Sequence, residues 1–413
     1  MIPMQQNSSL EAGVTYLVGS REVERGLNQV APLPIFAPEV LAFLTALSRE
    51  LLTDSRARAY PEVITFAFFI RRGSLVKWQQ FYAEAKGRMG RGVAFQVAPS
   101  NVPVNFAYTL VAALLAGNAT VVRVPQKNFA QVEIICAAMR RVLKDQPALR
   151  PYVLCVRYGH EKSINDRYSA LATMRVVWGG DRTIAALRQS PLPPRANEIT
   201  FADRHSLAVI SAAAYLAAED GEELARGFYN DTYLTDQNAC TAPRLVFWLG
   251  TPEETQRAQQ LFWERLHRVV AEKYELQAVQ AVDKLDALCR VAADLPEVAP
   301  QRVPMPDVLI TRCAVSRLVP ELMDDKMHSG FFFEMAAETL EPLAPVCGVA
   351  CQTVSYYGVA PERLREFVVR QGLRGVDRIV PIGRTLDFSL IWDGCDLIRT
   401  MSRWVDLRGK DLL

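Results

Sequence analysis

Charge of one sign is missing from this sequence. Its 47 basic and 45 acidic residues leave a formal net charge of +2 over 413 residues. Lys and Arg are dispersed rather than blocked, so neither a nucleic acid nor an anionic membrane surface is an expected partner. The opening stretch, Met1-Ile-Pro-Met-Gln-Gln-Asn, has neither a basic n-region nor an apolar h-region, and a cleaved export signal is not expected. No apolar run reaches the roughly 20 residues that a spanning helix needs, and residues 106 to 116 read as a buried core helix. The eight cysteines contain no C-x-x-C pair, which argues against a disulfide framework and places the chain in a reducing cytoplasm. Cys347 and Cys351, the only close pair, lack neighbouring histidines or further thiols, so no metal site is expected. Both G-x-G-x-x-G and G-x-x-x-x-G-K-[ST] are absent, against an ordinary Rossmann dehydrogenase or a P-loop enzyme.

What is present is a large apolar fraction, 50% of the chain, enough for two domains with their own cores. Residues 1 to 90 are mostly helical in pattern. Beyond them, apolar runs read as strands: Gly92-Val-Ala-Phe-Gln-Val-Ala, Thr120-Val-Val-Arg-Val, Tyr152-Val-Leu-Cys-Val, Met174-Arg-Val-Val-Trp and Leu207-Ala-Val-Ile-Ser. Helical patterns alternate with them, which predicts a parallel, doubly wound α/β sheet with ligands at the carboxyl ends of its strands. The turns that matter there are 99–103, 123–128 and 179–183. Asn105 is a plausible helix N-cap and Gly117-Asn118 a plausible helix stop. A second unit begins near residue 221, with a helix from 252 to 274, strands near Val308 and Phe331, and a loop-prone stretch from 287 to 306.

Within that second unit lies Asp236-Gln-Asn-Ala-Cys-Thr-Ala-Pro-Arg, just before a strand-like run. A cysteine there is either a small buried side chain or a nucleophile. Several ordered stretches bear on the choice. They are Ala98-Pro-Ser-Asn-Val-Pro-Val-Asn-Phe, Leu115-Ala-Gly-Asn-Ala-Thr-Val-Val-Arg-Val-Pro, Val177-Trp-Gly-Gly-Asp, the Cys240 stretch itself, Cys351-Gln-Thr-Val-Ser-Tyr-Tyr-Gly, and Asp377-Arg-Ile-Val-Pro-Ile-Gly-Arg running on to Ile391-Trp-Asp-Gly. Together, from about residue 90 onward, they resemble the acyl-CoA reductase branch of the aldehyde dehydrogenase superfamily, typified by the fatty-acyl-CoA reductases of bacterial bioluminescence.

The resemblance implies an aldehyde-dehydrogenase-like fold: two doubly wound α/β domains with the active site in the cleft between them. A cofactor domain would cover residues 1–223 and a catalytic domain 224–385, with residues 386–413 returning to the cofactor domain or to a partner subunit. The implied reaction is NADPH-dependent reduction of an acyl thioester to an aldehyde through an acyl-enzyme on Cys240. Asn101 would supply the side-chain amide of the oxyanion hole beside the Cys240 N–H, and His205 could assist proton transfer. On the cofactor, Arg123 would meet the adenosine ribose, and Gly179, Gly180 and Thr183 the pyrophosphate. Glu334 would approach a ribose. Gln126 and Lys127 stand where NAD-using relatives carry a Glu, which favours NADPH over NAD. The stretch Thr200-Phe-Ala-Asp-Arg-His-Ser lacks the Glu with which hydrolytic members activate water, though Glu198 and Asp203 lie nearby. The expected substrate is an acyl-CoA or acyl-carrier thioester. A homo-oligomer and an acyl-protein synthetase partner fit the branch. Two rival readings remain: an NAD-dependent oxidative aldehyde dehydrogenase, and a non-reducing subunit that only accepts an acyl group.

Overall fold

The computed structural model describes residues 13–100, 102–324 and 326–406. They form two compact units, one containing the residues through Ala202 together with those from Cys395, the other Asp203–Gly394. The division falls ahead of the expected 223/224 boundary. The strand at Leu207, read above as part of the first sheet, is hydrogen-bonded instead to strands of the second unit.

The first unit is built on a six-stranded sheet. Its strands are β1 (Thr15–Val18), β2 (Val93–Val97), β3 (Ala119–Arg123), β4 (Val153–Arg157), β5 (Met174–Trp178) and β6 (Asn197–Phe201), in the order β1-β4-β3-β2-β5-β6. All pairings are parallel except β1 with β4. Every residue of β2, β3 and β5 is buried, as happens when helices cover both faces of a parallel sheet. The apolar helix α2 (Asn105–Leu115) follows β2, and α1 (Pro38–Thr53) packs in the helical N-terminal part. A polar chain pins α2 to the sheet: Trp178 donates to Thr109 at 3.1 Å, Thr109 to Gln96, and Gln96 to Thr120 at 2.7 Å. From β2 the chain winds outward through β3 and β4, then returns to β5 on the other side of β2. That reversal is a topological switch point, and its carboxyl ends lead into residues 98–103 and Gly179-Gly180.

Gly117 ends α2 at φ +85°, where a Cβ would lie 2.0 Å from the Leu33 carbonyl oxygen, so only glycine fits. Behind it, the Asn118 side chain accepts from the N–H groups of Arg91 and Gly92 at 2.7 and 3.2 Å. It also donates to the Met401 carbonyl at 2.9 Å. The C-terminal segment is thereby fixed to this unit, where Ser402–Trp404 pairs antiparallel with Arg88–Gly90. Among the described residues no helix is long and apolar enough to cross a membrane.

The second unit has a seven-stranded sheet. It comprises β7 (His205–Ser211), β8 (Pro243–Leu249), β9 (Gln301–Val303), β10 (Thr311–Ala314), β11 (Phe331–Ala337), β12 (Cys351–Tyr357) and β13 (Arg378–Pro381). Their order is β9-β10-β11-β8-β7-β12-β13, parallel but for β9. Alternate residues feed two cores: Leu207, Val209, Leu245 and Phe247 face one, while Ala208, Ile210, Val246 and Trp248 face the other. The stretch from 287 to 306, expected as loop, is helical in its first part. Helix α8 (Ala278–Asp294) buries Ala287 and Val291, and the prolines act only beyond it.

Glu334 on β11 is the polar hub of this unit. It is 2% exposed, and Arg312 clamps one of its oxygens from Nε and Nη2 at 2.9 and 2.7 Å. Trp248 and Trp263 both donate to its other oxygen, at 2.7 and 2.6 Å. Both oxygens are therefore committed inside the core, which corrects the expectation of a ribose contact at Glu334. Near the end of the sheet, buried Asp231 accepts from the Gly383 and Thr385 N–H groups at 2.6 and 3.0 Å. Gly383 adopts φ +90°, and a Cβ there would meet the Gly227 Cα at 3.1 Å, so the glycine of the Pro-Ile-Gly-Arg stretch is a packing requirement.

Two outcomes follow from these buried carboxyl groups. Glu334→Gln leaves Arg312 without its counter-charge and is expected to cost about 3–5 kcal/mol in urea unfolding. A residue serving only a cofactor would leave the midpoint in place. Burial pushes the Asp231 carboxyl from 3.8 up to about 6. The folded state then holds a proton that the unfolded chain has lost, so stability falls as pH rises from about 4 through 6. The difference is on the order of 3 kcal/mol. Asp231→Asn is expected to flatten that portion of the stability–pH curve relative to wild type.

Candidate active site

The Cys240 turn sits at the amino-terminal ends of β7, β8, β11 and β12. Parallel strands leave backbone groups unpaired at their starts, and side chains of the turn and its neighbours satisfy them. Gln237 is 1% exposed and makes the fullest use of this. Its amide nitrogen donates to the carbonyls of Pro243 and Phe331, both at 2.9 Å. Its amide oxygen accepts from the N–H groups of Gly330 and Phe331 at 3.0 and 3.2 Å. One side chain thereby ties the turn to the first residues of both β8 and β11.

Ser206 holds the cysteine itself. Its hydroxyl donates to the Cys240 carbonyl at 2.7 Å and accepts from the Thr353 N–H at 3.2 Å. Asp236 and Gln237 are both left-handed, at φ +49° and +57°. Such conformations cost energy in non-glycine residues and persist only where the surroundings enforce them. Here Tyr274 and Gln280 donate to the Asp236 carboxylate. The result is a rigid backbone that carries a half-buried thiol. By contrast Cys136, Cys155, Cys313, Cys347 and Cys351 are buried outright.

Several polar atoms around this turn are buried without a hydrogen-bond partner: Thr241 Oγ1, Arg244 Nε, His328 Nδ1 and Thr353 Oγ1. Native interiors hold few such atoms, so these four are notable beside one turn. Burial, reinforced by the Arg244 charge, holds the His328 imidazole below its usual range. Burial also holds the Arg244 guanidinium below its usual value, while Cys240 and Asp203 act on it in the opposite sense.

His205 does not join this group. It is 6% exposed, its Nε2 donates to the Val346 carbonyl at 2.9 Å, and its ring lies against the Cys351 thiol. A carbonyl can only accept, so this nitrogen carries the proton and is occupied. The proton-transfer expectation for His205 is therefore corrected to a packing role. The neighbouring Cys347 thiol is raised far above its ordinary range by its hydrogen bond with Cys351 and by burial. Among the described residues no cluster of His, Cys, Asp or Glu could hold a metal.

In the first unit, Asn101 lies outside the described residues. Its neighbour Asn105 is the first residue of α2 rather than its N-cap. The cap position is Val104, and the Asn105 Oδ1 is buried without a partner. Gly180 precedes α5 (Asp181–Arg188) with no side-chain cap, so N–H groups of the first turn remain available. A Cβ on Gly179 would press the Thr183 side chain at 3.2 Å, so glycine keeps this turn close to the exposed Thr183. Arg123, last in β3, is 8% exposed, with its guanidinium 4.7 Å above the Tyr158 ring and donating to the Gly159 carbonyl. Gln126 and Lys127 are exposed just beyond it. The carboxylates near the Thr200 stretch are engaged: Glu198 pairs with Arg175 and Arg188, and Asp203 with Lys326.

Gln237, Ser206 and Arg244 are the residues that sequence reading missed. Only adjacency to Cys240 could have pointed to Gln237 and Arg244. Ser206 needed the strand pairing.

Comparison with known proteins gives this geometry a family. Residues 43–280 match the family model described as acyl-CoA reductase (LuxC). A long-chain acyl-protein thioester reductase from Aliivibrio fischeri is 24% identical over 162 residues, which is 39% of this chain and 32% of that protein's length. The match thus spans about a third of that relative. Lactaldehyde dehydrogenase from Escherichia coli superposes with a TM-score of 0.62 at 13% identity, over 92% of this chain and 88% of that one. An indole-3-acetaldehyde dehydrogenase solved with NAD+ gives 0.63 at 12% identity, over 92% and 85%. The fold is that of the aldehyde dehydrogenases, and with more than half of its length matched the chain belongs to the LuxC family of acyl-CoA reductases.

Proposed function

We propose that the protein reduces an acyl thioester to the aldehyde with NADPH, through an acyl group carried on Cys240. The observation that carries this reading is the Cys240 turn: a half-buried thiol on a backbone fixed by Gln237 and Ser206. The Cys240 thiolate attacks the thioester carbonyl, the new C–S bond forms, and the bond to the departing thiol breaks with its electron pair leaving on that sulfur. The Cys240 N–H is the donor offered to the charge that develops on the carbonyl oxygen. The Aliivibrio relative's name extends the substrate class from CoA esters to carrier-linked acyl groups.

The residues at the switch point suit a nicotinamide dinucleotide. The uncapped start of α5 with Gly179, Gly180 and Thr183 offers N–H groups to a pyrophosphate. Arg123 stands at the ribose side, and exposed Gln126 and Lys127 present no carboxylate to repel a 2′-phosphate. When bound, the nicotinamide supplies the hydride that brings the acyl carbon to the aldehyde level. Collapse of the sulfur-linked alkoxide then returns the Cys240 thiolate and frees the product. Glu198 and Asp203 are held by cations, which disfavours a hydrolytic end to the reaction.

The test is NADPH oxidation followed spectrophotometrically with acyl-CoAs of graded length. Wild type is expected to turn over and Cys240→Ala to lose at least about a thousandfold in rate. Equal consumption by both would end the proposal. Without NADPH, wild type incubated with acyl-CoA is expected to gain one acyl mass on the Cys240 peptide. Ser206→Ala leaves the Cys240 carbonyl and the Thr353 N–H unpaired, and kcat/KM is expected to fall about tenfold, matching a loss of about 1–3 kcal/mol of positioning. An unchanged kcat/KM would show that the clamp is dispensable.

A further inference from the structure

Arg244, the second residue of β8, is 4% exposed, and its Nε is buried with no hydrogen-bond partner. No carboxylate pairs with its guanidinium among the described residues. A guanidinium so largely buried without an ion-pair partner is costly to the fold. The charged and titratable groups that act on it are few. Cys240 and Asp203 attract it, but Asp203 already pairs with Lys326. Burial and the Arg244 charge itself hold His328 below its usual range, which disfavours a second cation there.

The proposed reaction keeps one negative charge beside Cys240 at every stage. It sits on the Cys240 sulfur before attack, on the carbonyl oxygen in the tetrahedral adduct, and on the departing sulfur afterwards. A single fixed cation within electrostatic range serves all of these without moving, which is the condition for preorganised stabilisation.

We infer that Arg244 is the standing counter-charge of the Cys240 site, a positioning residue left unpaired in the fold so that it can hold the anionic sulfur and the anions formed on it. This inference rests on the reading of Cys240 as the nucleophile.

The test needs no cofactor and no turnover. The full chain is alkylated with iodoacetate, which is anionic, and separately with iodoacetamide, which is neutral. Rates at individual cysteines are read by peptide mass spectrometry. The ratio of the two rates at one thiol cancels that thiol's ionisation and reports the local field felt by an incoming anion. In wild type the iodoacetate-to-iodoacetamide ratio is expected to be about tenfold higher at Cys240 than at exposed Cys289, an internal reference in the same chain. Arg244→Met should bring the Cys240 ratio down to that reference, and Arg244→Lys should restore most of it. A wild-type ratio no higher at Cys240 than at Cys289 overturns the inference even if neither variant folds. So does a ratio that Arg244→Met leaves unchanged. Failure of the underlying reading looks different: Cys240→Ala would still oxidise NADPH with acyl-CoA, whatever the alkylation ratios.

Discussion

The four hydrogen bonds of the Gln237 side chain are the constraint on which the candidate site depends. They close two problems at once. The starts of β8 and β11 have backbone groups that no neighbouring strand satisfies, and the turn that leads to Cys240 has two left-handed residues in succession. Each problem alone would destabilise the region. Joined through one buried amide, they stabilise it, because the turn supplies the partner that the strand ends lack. Ser206 adds the second fixed point from β7. These two side chains fix the Cys240 backbone while leaving the residue half-exposed.

The carboxylates of the chain show where the fold spends its negative charge. Glu334 is locked to Arg312 and two indoles, Glu198 is shared by Arg175 and Arg188, and Asp203 pairs with Lys326. Each of these three carboxylates therefore has a cationic partner within the fold.

Much of the first sheet was legible in the sequence. Runs such as Val93-Ala-Phe-Gln-Val and Met174-Arg-Val-Val-Trp are buried on both faces, and continuous apolar runs bounded by turns are their signature. The strand at Leu207 has the same signature, and nothing local says which sheet it joins; its partners, β8 and β12, lie further along the chain. The same limit explains Glu334. After three phenylalanines it reads as the charged end of a strand, but its partners come from Trp248, Trp263 and Arg312, separated from it by 86, 71 and 22 residues. His205 was misread for the companion reason, since its hydrogen bond reaches Val346, 141 residues away. The motif around Cys240 is contiguous in the sequence, whereas the hydrogen bonds that hold its turn are a product of strand pairing.

Two arginines of the second unit separate structure from chemistry. Arg312 and Arg244 are both almost wholly buried, at 7% and 4% exposure, and both start a strand of the same sheet. Arg312 reaches one oxygen of the Glu334 carboxylate with two of its nitrogens and lies 5.2 Å from the Trp263 ring, so its charge is neutralised within the fold. Arg244 has none of this. A sequence selected only for stability would have no reason to keep a desolvated cation unpaired when a leucine or methionine of similar volume would pack there at lower cost. The contrast separates the two: where the fold supplies an anion the guanidinium is structural, and where it withholds one, four residues after Cys240, the guanidinium is left free for the role proposed above.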